Sequence, residues 1–242
     1  IYQKQIDTLQ EATSLPLSLR QILDDKFRLG NLTQINELAS KDNHTTKALF
    51  SLPDGHQIET VLMSYRKRRT VCISTQAGCA LGCIFCATGQ MGFDRHLTVG
   101  EIVEQVLWAS RKLSVTGHRL TNIVLMGMGE PFHNYANSMG ALNRIEDSNG
   151  MAIGARRVTV STAGHAEAIK RFTKEGRRER LAVSLHAATN NLRSKLMPIN
   201  RRFPLEELME ACRLYSSVTH RRISFEWALI DSVNDSQEQA HD

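Results

Sequence analysis

The chain has 242 residues, 41% of them hydrophobic and 23% charged, with a formal net charge of +5 and a pI near 9.1. This length and composition indicate one large globular domain, alone or with a small appendage, and no repeat or low-complexity tract competes with that interpretation. No apolar run approaches the roughly 18 residues that a membrane-spanning helix needs, and the polar start lacks signal-peptide order. We therefore expect a cytoplasmic protein with no membrane partner.

Residues 1–50 are predicted to form a small N-terminal helical accessory domain. Their apolar side chains recur at helical spacing in two short stretches: Leu19, Ile22, Leu23 and Phe27, then Leu32, Ile35 and Leu38. Residues 51–70 change pattern, because a Pro-Asp-Gly turn signal at 53–55 precedes the alternating residues Ile58, Thr60 and Leu62. We interpret this second segment as a β connection into the main domain.

Residues 71–242 alternate between predicted strands and helices. The predicted strands are residues 71–75, 122–127, 156–162, 180–187 and 221–230. The predicted helices are residues 98–113, 135–148, 165–175 and 204–217, the first opened by a capping box of Thr98 and Glu101 and the last by Pro204. Repeated strand and helix units with near-continuous apolar strands indicate a parallel sheet covered by helices, either open or rolled into a barrel.

Three of the five cysteines stand close together after the first of these strands. Cys79, Cys83 and Cys86 have C-x3-C-x2-C spacing, whereas Cys72 lies seven positions upstream of Cys79. With no signal peptide and an odd count, a disulfide framework is not expected, which leaves metal or redox chemistry. A structural zinc site usually takes four ligands in two separated pairs, and no second pair follows. Three thiolates in one loop suit a 4Fe-4S cluster with one iron free for substrate, while zinc or a chance group is the alternative.

This cysteine spacing, with the aromatic Phe85 before the last cysteine, resembles the signature of radical S-adenosylmethionine (SAM) enzymes. The resemblance implies a partial (β/α)6 barrel with its ligand sites at the carboxyl ends of the strands. It also implies that SAM binds the open iron through its amino and carboxylate groups and yields a 5'-deoxyadenosyl radical. The implied SAM-binding residues lie at the carboxyl ends of the predicted strands or just after them: Gly129 and Glu130, then Ser161, then Ser184, Leu185 and His186. Taken singly, such residues are equally explained as a turn, a helix N-cap and a core histidine.

The resemblance extends to one group of radical SAM enzymes. The segments CISTQAGCALGCIFCATGQMGFDRHLT, GMGEP, VSTAG, SLHA, LMPIN and RRISFEWALIDSVND occur in this order, and the similarity begins at about residue 14. They resemble the methyltransferases that modify C2 of an adenine in 23S rRNA and also act on tRNA. The alternatives are a C8-methylating relative that confers antibiotic resistance and a non-catalytic remnant that binds RNA or zinc.

This resemblance implies a two-stage methyl transfer, because adenine C2 has no lone pair with which to attack a sulfonium methyl group. One SAM methylates a cysteine of the enzyme, and a second yields the radical that activates this methyl group for addition to C2. Release then needs a base for the C2 proton and a second thiol, leaving a disulfide. Glu59 and Cys72 match the positions of that base and that thiol. The alternative is that both are ordinary strand residues.

The methyl-bearing cysteine of this group lies, by the resemblance, in a C-terminal segment that the chain does not contain. Cys212 does not replace it, because Leu205, Leu208, Met209 and Cys212 form an apolar stripe typical of a core helix. The first residue is Ile1 rather than Met, and the last residues resemble the beginning of a helix. We therefore expect a fragment that binds the cluster but does not complete methyl transfer alone.

Clusters of basic residues suggest a polyanionic partner, although solvated turns and strand ends explain them equally well. They lie at residues 66–69, 156–157, 177–180, 201–202 and 221–222. Combined with the resemblance, they favour 23S rRNA and tRNA as partners through salt-sensitive phosphate contacts. The resemblance also implies an electron donor such as flavodoxin or ferredoxin, and we expect a monomer.

Overall fold

In the computed structural model, which describes residues 1–2 and 6–241, strands and helices alternate along most of the chain. The strands are β1 Thr33–Ala39, β2 Thr45–Ser51, β3 Gln57–Ser64, β4 Arg69–Cys72, β5 Gln76–Gly78, β6 Phe93–His96, β7 Asn122–Leu125, β8 Val158–Thr162, β9 Arg180–Ser184 and β10 Ser224–Glu226. The helices are α1 Leu17–Lys26, α2 Ala87–Gln90, α3 Val99–Ser114, α4 Tyr135–Glu146, α5 Ala166–Lys174, α6 Asn190–Leu196, α7 Leu205–Thr219 and α8 Gln237–His241. Short 3-10 helices form at Leu9–Glu11, Ala155–Arg157 and Pro198–Arg201.

Most of the strands form one mixed sheet in the order β1-β2-β3-β4-β7-β8-β9-β10. Strands β1 to β4 are antiparallel neighbours, whereas β4, β7, β8, β9 and β10 run parallel. Helices bridge each parallel step: α3 precedes β7, α4 precedes β8, α5 precedes β9, and α6 with α7 precede β10. Parallel neighbours require such crossovers, and the predicted α/β fold with a helix-covered parallel sheet is confirmed.

One face of the parallel sheet is fully buried. Ile123 on β7 and Val158 and Val160 on β8 are inaccessible to solvent. Their neighbours Val124 and Thr159 point to the opposite face, because side chains alternate along a strand, and these two are only partly buried. The core therefore lies on the helix-covered face, and the second face is the more open one.

Helix α3 shows how local sequence fixes an element. The Thr98 hydroxyl accepts the Glu101 N–H while the Glu101 carboxylate accepts the Thr98 N–H, so the predicted capping box is confirmed. Arg95 donates two further hydrogen bonds to this carboxylate, whose side chain is only 4% exposed. Ile102 and Val106 on the apolar face are completely buried.

The N-terminal prediction was wrong in one respect. Helix α1 confirms the first helical stretch, but the second stretch, around Ile35 and Leu38, forms strand β1. Strand β1 pairs with β2, and β2 pairs with β3, so the sheet continues across the predicted boundary at residue 50. Short apolar stretches fit either periodicity, and here pairing with β2 decides the outcome. Residues 1–50 are therefore not a purely helical unit.

Two differences concern the last third of the chain. The strand predicted at 221–230 is shorter, because β10 ends at Glu226 and the following residues fold back, with the Trp227 indole N–H donating to the Asn234 carbonyl. Helix α6 was not predicted, and the Thr189 hydroxyl caps it by accepting the Leu192 N–H. None of the described helices combines the length and apolar character needed to cross a membrane.

Candidate cofactor site

A cavity of about 160 Å³ opens at the carboxyl ends of the parallel strands. Its walls come from the ends of β7, β8, β9 and β10 and from the cysteine loop, residues 79–92. The predicted site residues that line it are Cys79, Cys83, Cys86, Gly129, Glu130, Ser161, Ser184 and His186. The fold thus brings together residues that are far apart in sequence.

The cysteine loop is closed at its base by the two-stranded β5/β6 ribbon. Gly78 pairs with Phe93, and the Cys79 N–H donates to the Gly92 carbonyl at 2.7 Å. Gly78 has a φ of +71°, and a Cβ there would lie 2.1 Å from the Gly92 oxygen. Only glycine allows this approach, so the sequence fixes where the loop begins.

The thiols of Cys79 and Cys83 are almost completely buried, and Cys86 is half-buried. Burial raises the pKa of Cys79, and it raises the pKa of Cys83 to about 12. Both thiols therefore stay protonated until a metal displaces the proton. The Ile84 N–H donates to the Leu196 carbonyl at 3.0 Å, which anchors the loop to the end of α6.

Both carboxylate oxygens of Glu130 are already engaged. One accepts the Ala163 N–H at 2.7 Å and the other accepts the Phe132 N–H at 3.0 Å. Burial nevertheless raises the pKa of Glu130 to about 7. The preceding Gly129 has a φ of +95°, and a Cβ there would lie 2.5 Å from the Gln76 side chain. Glu130 therefore ties the turn after β7 to the end of β8 as well as lining the cavity.

Ser161, Ser184 and Glu226 form a polar wall made from three adjacent strands. The Ser161 and Ser184 hydroxyls donate to the same Glu226 oxygen, at 3.2 and 3.3 Å. Glu226 was not predicted from the sequence, and it pairs with Ser184 in the β9/β10 register. Glu226 lies in the middle of the predicted strand 221–230, and it reaches the cavity because β10 ends at this residue.

His186 lines the cavity in a strained conformation, with a φ of +59°. Its Nδ1 accepts the Ala228 N–H at 2.9 Å, and burial lowers the pKa of His186 to about 4, so the ring is neutral with its proton on Nε2. The Phe85 ring packs edge-on against it, with centroids 4.7 Å apart. Leu185 is not among the residues that line the cavity; its side chain packs against the core and its N–H donates to the Glu226 carbonyl at 2.9 Å.

Cys72 and Glu59 lie beside the cavity rather than in its wall. The β3/β4 register pairs Val61 with Cys72, so Glu59, two residues along β3, shares a face of the sheet with Cys72. Burial raises the pKa of the Cys72 thiol to about 11, although the backbone of Met126, a cavity residue, donates a hydrogen bond to it. The Glu59 carboxylate forms an ion pair with Lys47 at 2.7 Å.

Cys212 lies in the core on α7, where it is 3% exposed, as the apolar stripe predicts. It lies on a different element from the cysteine loop, which carries Cys79, Cys83 and Cys86. This placement confirms that Cys212 is a packing residue.

Four of the five basic clusters lie at the opposite end of the sheet from the cavity. Residues 66–69, 156–157, 177–180 and 221–222 precede or begin β4, β8, β9 and β10, which places them at the amino ends of these strands. Residues 201–202 follow α6, on the cavity side. The clusters therefore do not surround the cavity, and an RNA that touches them must extend to the far end of the sheet.

Comparison with known proteins gives this arrangement a family. The sequence profile of the Radical SAM superfamily matches residues 73–242. A relative from Myxococcus xanthus (strain DK1622), named dual-specificity RNA methyltransferase RlmN 1, is 52% identical over 241 residues, covering 100% of this chain and 67% of the relative. The chain belongs to the RlmN family of radical SAM enzymes.

Two further relatives agree with this family. A probable dual-specificity RNA methyltransferase RlmN from Staphylococcus haemolyticus (strain JCSC1435) is 47% identical over 242 residues, covering 100% of this chain and 66% of the relative. The crystal structure of a radical SAM methyltransferase from Sphaerobacter thermophilus matches with a TM-score of 0.97 and 49% identity, covering 99% of this chain and 70% of that chain. The chain thus spans about two thirds of the length of its curated RlmN relatives.

The radical SAM superfamily implies a 4Fe-4S cluster and SAM as cofactors, and the cavity residues fit both. The loop offers soft thiol donors, which iron-sulfur clusters prefer, and the serine and glutamate wall offers polar partners for an organic cofactor. Within the described part of the chain, no three His, Cys, Asp or Glu side chains are grouped tightly enough to hold a single metal ion. A cubane places each thiolate on a different iron, so its ligands need not converge on one point.

Proposed function

We propose that the protein is an RNA methyltransferase that adds a methyl group to C2 of an adenine in 23S rRNA and tRNA. In this proposal Cys79, Cys83 and Cys86 hold the 4Fe-4S cluster. The observation that supports it most strongly is the cavity itself, which joins these thiols to the residues expected to contact SAM. The relatives named as dual-specificity RNA methyltransferases, at 47% to 52% identity over the full chain, support the choice of RNA.

Each of the three thiols would bind one iron and leave the fourth iron free for SAM. When bound, the cluster and SAM supply the radical chemistry that an unreactive aromatic carbon demands. The loop contributes burial, since Cys79 and Cys83 are each 8% exposed and water is kept from the ligands. Because both thiols must lose a proton, we expect cluster assembly to be favoured as pH rises.

The polar wall would orient SAM. The Glu226 carboxylate and the Ser161 and Ser184 hydroxyls can exchange their mutual hydrogen bonds for bonds to the ammonium or hydroxyl groups of the cofactor. Glu130 lines the same cavity, but both of its carboxylate oxygens accept hydrogen bonds from backbone amides. We therefore assign it first to holding the turn after β7 in place. Gly129 and His186 complete the proposed SAM-binding set, and Leu185 contributes through its backbone.

Glu59 and Cys72 would act in product release. Glu59 accepts the C2 proton, and the Cys72 thiolate attacks the sulfur of the methyl-bearing cysteine, which the resemblance places beyond residue 242. Once the radical adduct has returned one electron to the flavodoxin- or ferredoxin-type carrier, a sulfur–sulfur bond forms while the carbon–sulfur bond breaks. The electron pair of the broken bond stays on the carbon attached to adenine C2, which takes up a proton to become the methyl group. The pKa of Cys72, raised to about 11, means that this thiol needs a base before it attacks.

Two further points belong to this proposal. A flavodoxin or ferredoxin would supply the electron to a monomeric enzyme. The target adenine must leave its stack to enter the cavity, as for other enzymes that modify bases.

The test is a methylation assay with the full-length polypeptide, reconstituted anaerobically with iron and sulfide and given SAM, a reductant and either an rRNA fragment or tRNA. Digestion of the RNA and mass spectrometry of its nucleosides should reveal 2-methyladenosine. Methylation at C8 would assign the chain to the other branch, and unmodified RNA beside a fully assembled cluster would contradict the proposal. A protein that binds no iron or sulfide would be a non-catalytic remnant.

A further inference from the structure

Arg193 on α6 is a fully buried arginine, with no part of its surface exposed. Its guanidinium donates to the carbonyls of Ala163 at 2.6 Å, Ser184 at 3.1 Å and Leu185 at 3.1 Å, and to Oδ1 of Asn200 at 2.9 Å. These carbonyls belong to the turns that follow β8 and β9. Arg193 therefore lies directly behind the polar wall of the cavity.

No carboxylate of residues 1–2 or 6–241 balances the positive charge of Arg193. Among the ion pairs formed by the described residues, none includes Arg193. Burial lowers the pKa of Arg193 to about 10, so the guanidinium remains charged at neutral pH. A buried charge is costly unless an opposite charge lies near it. The groups that can become negative beside it are the thiols of Cys83 and Cys212.

Of these two thiols, Cys83 belongs to the cysteine loop and Cys212 to the core. Cys83 lines the same cavity as Ala163 and Ser184, whose carbonyls accept hydrogen bonds from Arg193. Helix α6 also holds the loop mechanically, through the bond between the Ile84 N–H and the Leu196 carbonyl. The same helix thus provides both a backbone anchor and a fixed positive charge for the loop.

We propose that Arg193 is the buried counter-charge of the iron-sulfur cluster and a positioning residue that makes the cluster easier to reduce. This rests on the proposed function of the three cysteines. With its three thiolate ligands the oxidised cluster has a net charge of one negative unit, and one-electron reduction adds a second negative charge. A fixed cation stabilises the reduced state more than the oxidised state, because Coulomb attraction grows with the charge of the partner. The electron comes from a low-potential one-electron donor, or from dithionite in the assay below.

The size of the effect follows from the same relation. With an effective dielectric constant of about 20, one charge within roughly 10 Å of the cluster changes the reduction equilibrium at least about tenfold. For a one-electron couple a tenfold change is about 59 mV. Removing the charge should therefore shift the midpoint potential by about this amount or more, toward negative values.

Three variants separate charge from hydrogen bonding. Arg193→Gln removes the charge and keeps some donors, whereas Arg193→Lys keeps the charge and loses the planar fork. Asn200→Asp leaves Arg193 in place but gives it a buried counter-ion at 2.9 Å. Arg213→Gln, an exposed arginine on α7, is the control for loss of a positive charge elsewhere.

The measurement is a redox titration of each anaerobically reconstituted chain, followed by EPR, together with its iron and sulfide content. We expect the midpoint potentials of Arg193→Gln and Asn200→Asp to fall by at least about 59 mV, which is a tenfold change in the reduction equilibrium. The potentials of Arg193→Lys and Arg213→Gln should stay near the parent value. If Arg193→Gln and Asn200→Asp fail to hold a cluster while Arg193→Lys holds one, the charge requirement is equally supported.

Two results would overturn the inference. The first is a charge-removing variant that holds a cluster at the parent potential. The second is loss of the cluster from both Arg193→Lys and Arg193→Gln, because this would mean that Arg193 has a purely structural role. A parent chain that assembles no cluster would instead contradict the proposed function.

Discussion

Replacing Glu130 by glutamine tests which force dominates at the cavity wall, burial or hydrogen bonding. The Glu130 side chain is 3% exposed and accepts hydrogen bonds from the Ala163 and Phe132 amides. Burial disfavours the charged carboxylate, whereas the two amide bonds favour it. The net effect raises the pKa of Glu130 from 4.5 to about 7, so burial is the stronger force.

The magnitude follows from this shift. One pKa unit corresponds to about 1.4 kcal/mol, so ionised Glu130 costs the folded chain about 3 kcal/mol above pH 7. Between pH 4.5 and 7 the folded state holds the Glu130 proton more tightly than the unfolded chain does. The contribution of Glu130 to the free energy of unfolding therefore falls as pH rises. Glutamine cannot ionise, and its single acceptor oxygen leaves one amide poorly paired, at a cost of about 1–3 kcal/mol at every pH.

The assay is urea unfolding of the parent and Glu130→Gln chains, without added iron or sulfide, from pH 4.5 to 8. We expect the variant to be less stable than the parent at pH 4.5, and its stability relative to the parent to rise by about 3 kcal/mol by pH 8, which closes or reverses the gap. Glu210→Gln removes a carboxylate whose side chain is 69% exposed and should run parallel to the parent. A gap for Glu130→Gln that widens with pH would instead show that hydrogen bonding outweighs burial at this site.

Three further substitutions test other parts of the account. Gly78→Ala should destabilise the chain by more than Gly82→Ala in urea unfolding. Both glycines have positive φ, which costs an alanine about 1–2 kcal/mol, but only at Gly78 would the added Cβ also collide with the Gly92 oxygen. Equal losses of stability would contradict this. Cys212→Ala should cost about 1 kcal/mol of core packing and leave the iron and sulfide content unchanged, whereas loss of iron would make Cys212 a ligand. Cys72→Ala in the full-length polypeptide should leave protein covalently bound to RNA on denaturing gels, and free turnover would remove Cys72 from the release step.

The parallel sheet was predictable because its strands are apolar along most of their length and alternate with helices. The same holds for the cap of α3, where Thr98 and Glu101 are three residues apart and depend on nothing distant. The spacing of Cys79, Cys83 and Cys86 likewise gave the site its first three residues without any structure. These features are local, and local chemistry determines them.

The features that escaped prediction depend on distant partners. Strand β1 looked helical, because a short apolar stretch fits both periods until β2 pairs with it. The role of Glu226 requires the β9/β10 register, which brings it opposite Ser184 from 42 residues away. The unpaired charge of Arg193 cannot be read from a sequence in which arginines are usually exposed.

The proposed function requires the three loop cysteines to hold a 4Fe-4S cluster with one iron open to SAM. The most direct measurement is the EPR spectrum of the reduced, anaerobically reconstituted chain before and after SAM is added. The account predicts a 4Fe-4S signal that changes when SAM binds the open iron. It also predicts that this signal is lost when Cys79, Cys83 or Cys86 is replaced by alanine. A signal that survives these replacements, or one that SAM leaves unchanged, would contradict the claim.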